Sequence, residues 1–366
     1  MTTLRGRVVT PERVIDNGIV ELDGERIAAV RVGRGQVNPQ WIVPGFVDLH
    51  VHGGGGFTFT TGDVEQARGA AEFHRRHGTT TLLASLVTAS APTLYDGTAA
   101  FASLVDEGVL AGVHLEGPYL AQARCGAQNP AHLRDPDPGE LARLLDLGAV
   151  RMMTLAPERP GGIDAIRLLA QRGVLAAIGH TDATYEQTLA AIEAGARVGT
   201  HLCNGMRPIH HREPGPIIAL LDADEVVCEA IADGVHLHDG MLRHALRAAG
   251  VDRVALVTDA IAAAGMPDGE YELGGQTVTV ADRVARLAAG GAIAGSTLTM
   301  DAALRRAVHS GMSIVDAARM AATTPARLLG LDAGTVQPGQ RADLVILDEQ
   351  LRVIRVLRNG VDEPLS

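Results

Sequence analysis

The chain has 366 residues, 46% of them hydrophobic, and a net charge of −11, enough apolar material for a large core. No basic stripe offsets the acidic balance, so nucleic acid is excluded as a partner, and no uncharged apolar run is long enough to cross a bilayer. The N-terminal stretch has no apolar signal segment, and Cys125, Cys203 and Cys228 are odd in number and scattered, which argues against a disulfide framework and for a reducing, cytoplasmic setting.

Residues 5–9, 19–22 and 27–32 read as strands, with Asp23-Gly24 as a turn signal. Residues 343–347 and 353–357 read as strands at the other end. Neither end holds enough apolar surface to fold alone. The two are therefore expected to pair into one small β-sandwich domain, made of residues 1–44 and 335–366.

Between them, apolar β-rich runs recur near 46–52, 79–86, 110–116, 150–156, 174–180, 197–201, 226–231 and 254–259. Helical stretches at 64–77, 139–147, 186–194 and 240–249 alternate with them. Eight such units predict an α/β fold, a (β/α)8 TIM-like barrel spanning residues 45–334. The Gly-rich segment 265–290 reads as a hairpin-like insertion after the eighth strand.

The first barrel run, Pro44-Gly45-Phe46-Val47-Asp48-Leu49-His50-Val51-His52, opens into four glycines. Side chains alternate along a strand, so Asp48, His50 and His52 share a face. Two imidazoles at that spacing can address one ion, with Asp48 deeper as support. Barrel enzymes carry their chemistry at the C-terminal ends of strands. There the sequence places Glu116 on the third strand, His180 on the fifth, His201 on the sixth and Asp259 on the eighth, with His236 just beyond the seventh. That convergence points to a metal site. His114 reads as a hydrogen-bonded interior residue, His74 and His77 as a solvated helix face, and His238 as a surface residue. The cysteines read as small buried hydrophobes, except Cys125, which falls in a loop. The chain has no lysine; all 32 basic residues are arginine, so any bridge between two metals would be a carboxylate.

The segments PGFVDLHVHGGGG, HLEGPYL, GHTDAT, THLCNGM, HHREPG, ADGVHLH, VTDA and AGSTLTM together resemble the N-acetylglucosamine-6-phosphate deacetylases of the amidohydrolase superfamily. The resemblance covers nearly the whole chain. It implies hydrolysis of an amino-sugar phosphate acetamide with one or two divalent ions such as Zn, Fe or Co. By it, Glu116, His180 and His201 hold one ion, and His50 and His52 match members that bind a second, with Glu116 as bridge. Asp259 matches the catalytic acid/base and a ligand. Gln128, Asn204, Gly205 and His236 match substrate contacts, and Arg212 matches an arginine that reaches the neighbouring active site of a homodimer. Gln128 departs from the family's usual histidine and cannot carry a proton. Two alternatives stand beside this reading: a deacetylase for N-acetylgalactosamine 6-phosphate or another N-acyl compound, and a catalytically dead scaffold.

Overall fold

The computed structural model describes residues 2–36 and 38–365. The chain divides into two compact units, one of Met1–Asp48, Glu72–Thr81 and Thr299–Ser366, the other of Leu49–Ala71 and Leu82–Leu298.

The first unit holds a seven-stranded sheet built from both termini. Its order is Val361–Glu363, Val353–Arg358, Leu344–Leu347, Trp41–Pro44, Thr2–Val9, Val14–Asp23, Arg26–Val32. Leu344–Leu347 runs antiparallel to Trp41–Pro44, which in turn lies parallel to Thr2–Val9. Trp41–Pro44 is thus the strand that joins the two ends, and it has no signature in the sequence: four residues are too few to show a period. Leu4, Val20, Ile27, Ile42, Leu344 and Leu357 pack into one buried cluster.

His74 corrects an expectation. The sequence reading puts it on a solvated face, yet it is fully buried. On the helix Val64–Arg76, Ala67, Ala70, Ala71 and His74 fall at i, i+3, i+4 and i+7 and are all buried. A stripe of alanines hides the apolar face that this spacing defines. His77 is half-buried and lies 3.3 Å from Asp301.

The eight barrel strands are Phe46–Val51, Thr79–Val87, Gly112–Glu116, Val150–Leu155, Leu175–Ile178, Ala196–Gly199, Val227–Ile231 and Val254–Val257, neighbours in that order. The end of the first strand and the chain leaving the eighth meet through main-chain bonds that include Asp259 N–H to His50 O and His52 N–H to Ala260 O, each 2.8 Å. Nearly every strand residue is buried, as covered parallel strands require. Helices Ala91–Asp106, Pro138–Asp146 and Tyr185–Glu193 start at Ser90, Asp137 and Thr184, whose side chains each accept a main-chain N–H of the first turn. Such a cap contributes about 1 kcal/mol.

The segment after the eighth strand is a three-stranded antiparallel sheet, Gly269–Leu273, Gln276–Ala281 and Val284–Leu287. Leu273, Val278, Val280 and Ala285 anchor it to Val87 and Ile261.

Candidate metal centre and active site

His180, His201 and Asp259 do not lie in the strands, as the apolar runs suggested. The strands stop at Ile178, Gly199 and Val257, so each of the three residues stands two positions further on. Each has a left-handed backbone, with φ of 45°, 27° and 49°. For a residue with a Cβ that conformation costs on the order of 1 kcal/mol or more. The surroundings hold it in place. Ser296 N–H donates to Asp259 O at 2.7 Å, and its hydroxyl donates to Thr258 O at 2.6 Å. His201 N–H donates to Oε2 of Glu229 at 3.1 Å.

Six buried side chains fall into two groups of three that could each hold an ion: His50, His52 and Asp259; Glu116, His180 and His201. Oε1 of Glu116 lies 3.1 Å from His180 Nε2 and 3.0 Å from His201 Nε2. Its Oε2 lies 3.2 Å from His52 Nε2. Asp259 Oδ1 is 3.2 Å from His52 Nε2 and 3.5 Å from His50 Nε2. Glu116 therefore stands between the groups and faces both.

The donor chemistry fits divalent ions. His52 Nδ1 bonds to Ser85 O at 3.1 Å, and His180 Nδ1 to Arg124 O at 2.8 Å. A carbonyl can only accept, so each Nδ1 carries the proton and each Nε2 turns its lone pair to the centre. The Nε2 atoms of His50 and His52 are 3.1 Å apart, as are those of His180 and His201. Lone pairs and carboxylate oxygens crowded this closely repel one another unless positive charge lies among them.

The electrostatics show the same call for positive charge, which a second proton on the ring or an ion can each meet: burial pushes His52 down, but hydrogen bonds to Asp259 and Glu116 outweigh it and lift the ring to about 9. Burial would raise Glu116, yet His50 and the bonds from His180 and His201 hold it well below the carboxylate range. His114 goes the other way: burial and the neighbouring His50 keep it neutral. It is fully buried and bonds Ser85 Oγ at 2.9 Å and Thr154 Oγ1 at 2.8 Å.

A cavity of about 230 Å³ opens over the two groups. Gln128, Asn204, Gly205 and His236 line it together with His52, Glu116, His180, His201 and Asp259. Leu273 and Ile293 give it an apolar wall. Gln128 is buried and donates to Glu116 Oε2 at 2.5 Å, while its own oxygen accepts Thr88 N–H at 2.8 Å. Gly205 has φ +59°, and a Cβ there would come within 2.8 Å of His180 Nδ1, so a larger residue would have to shift the ring or the loop. Burial lowers His236, but Asp233, 2.7 Å from its Nδ1, raises it overall. Arg212 is not in this cavity. It is exposed, with one guanidinium nitrogen 2.7 Å from His211 Nε2.

Glu229 was not foreseen. It is fully buried in Val227–Ile231, and its Oε2 lies 3.1 Å from His50 Nδ1. The signal was an acidic residue inside an otherwise apolar strand, VCEAI.

The amidohydrolase family profile matches residues 41–361. The N-acetylglucosamine-6-phosphate deacetylase of Lysinibacillus sphaericus is 35% identical over 353 residues, 94% of this chain and 91% of that protein. The N-acetylgalactosamine-6-phosphate deacetylase of Escherichia coli O157:H7 is 37% identical over 366 residues, 97% of each. A solved structure of a mutant N-acetyl-D-glucosamine-6-phosphate deacetylase from Mycobacterium smegmatis, in complex with N-acetyl-D-glucosamine-6-phosphate, superposes with a TM-score of 0.96 at 46% identity, covering 99% of this chain and 98% of that one.

Proposed function

The chain belongs to the amidohydrolase family, and from that premise we propose that it removes the N-acetyl group of N-acetylglucosamine 6-phosphate, giving glucosamine 6-phosphate and acetate. The observation that carries this reading is Glu116, which faces both ligand groups at the floor of a cavity lined by Asn204 and His236.

We assign His50, His52 and Asp259 to one ion and Glu116, His180 and His201 to the other, with Zn, Fe or Co the candidates. When bound, a divalent ion acidifies water and polarises an acyl oxygen. Asp259 takes the proton from water as its oxygen bonds to the acyl carbon. The same carboxyl then gives that proton to the leaving nitrogen as the C–N bond breaks. Gln128 keeps Glu116 oriented with one N–H and has a second to offer the substrate. The Gly205 N–H and the raised His236 donate to sugar and phosphate oxygens, and Asn204, whose amide nitrogen donates to the carbonyls of His201 and Leu202, offers its Oδ1 to a sugar hydroxyl. Arg212, directed outward, suits the phosphate in the partner site of a homodimer, where its planar fork can take two oxygens. We read residues 45–334 as the catalytic barrel and 1–44 with 335–366 as the small domain. Three unpaired cysteines favour a cytoplasmic location. Among the described residues no helix is long and apolar enough to cross a membrane.

The E. coli relative keeps N-acetylgalactosamine 6-phosphate in view as a second substrate. Acetate release from both phosphorylated sugars, and from unphosphorylated N-acetylglucosamine, tests the proposal. Turnover is expected with the phosphorylated glucosamine derivative and poor without phosphate. Metal-loaded protein that releases no acetate from either phosphorylated sugar would overturn it.

A further inference from the structure

We infer that Glu229 is a positioning residue that makes binding of the second ion, at His50, His52 and Asp259, depend on a side chain outside both ligand groups. The inference rests on the two-ion reading above.

Glu229 is fully buried in a strand whose other four residues are Val227, Cys228, Ala230 and Ile231. A carboxylate there loses its hydration, which is costly unless it is well bonded. Its bonds go to the metal centre. Oε2 accepts from His50 Nδ1 and from the His201 main-chain N–H, each at 3.1 Å. Oε1 has no hydrogen-bond partner. The acid is poorly placed as a source of stability and well placed to serve these two histidines.

His50 and His201 belong to different ligand groups, so one oxygen fixes the position of both. At His50 the bond keeps the proton on Nδ1 and leaves Nε2 to face Asp259; a carboxylate behind an imidazole also makes it a stronger ligand. At His201 the ring Nδ1 has no partner, and the anchor is the main chain. The other two rings do not depend on a side chain in this way. His52 and His180 are held by the carbonyls of Ser85 and Arg124, which no substitution at those positions removes. His50 is the ring whose orientation a single mutation can release. His180 and Glu116 remain to hold the other ion when Glu229 is changed.

The test is a Co²⁺ titration of metal-free wild type, Glu229→Gln and Glu229→Ala, followed by calorimetry and by the visible spectrum of each equivalent. Circular dichroism in chelator checks that each variant is folded. Wild type is expected to take two equivalents. Glu229→Ala should keep the tighter one and bind the other about 10–100-fold more weakly, the usual effect of losing such a partner. Glu229→Gln keeps an acceptor oxygen without the charge and should fall between. Unchanged binding of both equivalents in both variants, or equal weakening of the two, would overturn the inference. A wild type that takes one equivalent would sink the two-ion reading, and this inference with it. If Glu229→Ala does not fold, the Gln variant alone decides.

Discussion

The Nε2 atoms of His180 and His201 lie 3.1 Å apart, and both face Oε1 of Glu116. Converting either histidine to alanine leaves two ligands where three converged. We expect His180→Ala and His201→Ala to lose the tighter ion and all turnover, whereas His50→Ala and His52→Ala lose the second ion alone. Elemental analysis of the purified variants checks this; full metal content with activity in His180→Ala would refute the grouping.

Asp259→Asn keeps the size of the side chain and removes its ability to take a proton. Turnover should fall by a factor of about 10² or more, with KM little changed. Steady-state kinetics on the metal-loaded variant decide, and a near-normal kcat would pass the role to another group, with His236 first in line.

His236 depends on Asp233 for its charge. Burial lowers the ring and Asp233 raises it above its ordinary value. In Asp233→Asn the ring should lose its proton at lower pH than in wild type. The pH at which KM for the phosphorylated sugar begins to rise should therefore move down, while kcat at low pH changes less. A KM profile that coincides with wild type would show that His236 does not bind substrate as a cation.

Arg212 is proposed above to bind phosphate across a dimer. Arg212→Ala should lower kcat/KM for the phosphorylated sugar by a few kcal/mol, since charge-assisted hydrogen bonds contribute roughly 1.5–3 kcal/mol each. Mixing Arg212→Ala with Asp259→Asn subunits should restore activity, because one site in a mixed dimer has both groups intact. No recovery despite demonstrated subunit exchange would confine Arg212 to its own chain.

Asp301 bears on stability. Burial raises its carboxyl, but His77 and Arg305 outweigh that and hold it down at about 2. A folded value below the ordinary one contributes stability that is present above about pH 4 and is lost as pH falls toward 2. Asp301→Asn should cost about 2 kcal/mol at neutral pH, and the gap to wild type should close across that acid range. Denaturant unfolding at a series of pH values measures it.

The residues that gather into the two groups could be read from the sequence because they stand at or near the ends of apolar runs. His50, Glu116, His180, His201 and Asp259 stand out where hydrophobic residues stop. The strand ends themselves could not be read so closely. Gly179, Thr200 and Thr258 extend the apolar runs in composition, but the backbone has already left the sheet there, and the left-handed turn that follows leaves no compositional mark. Glu229 was hidden for a different reason. Its role depends on a neighbour about 180 positions earlier, and pairing across that distance has no local pattern. Trp41–Pro44 and the alanine face bearing His74 were too short or too bland to register.

The seam where Asp259 N–H meets His50 O joins the beginning of the barrel to its end, and His50, His52 and Asp259 stand on it. An ion gripped by these three side chains cross-links points about 200 residues apart, in a chain without disulfides among its described residues. Closing a loop of that length is where a clip restricts the unfolded chain most. Chelation should therefore do more than silence the enzyme: it should release the barrel's clasp, and hydrogen exchange should quicken first in the opening and closing strands.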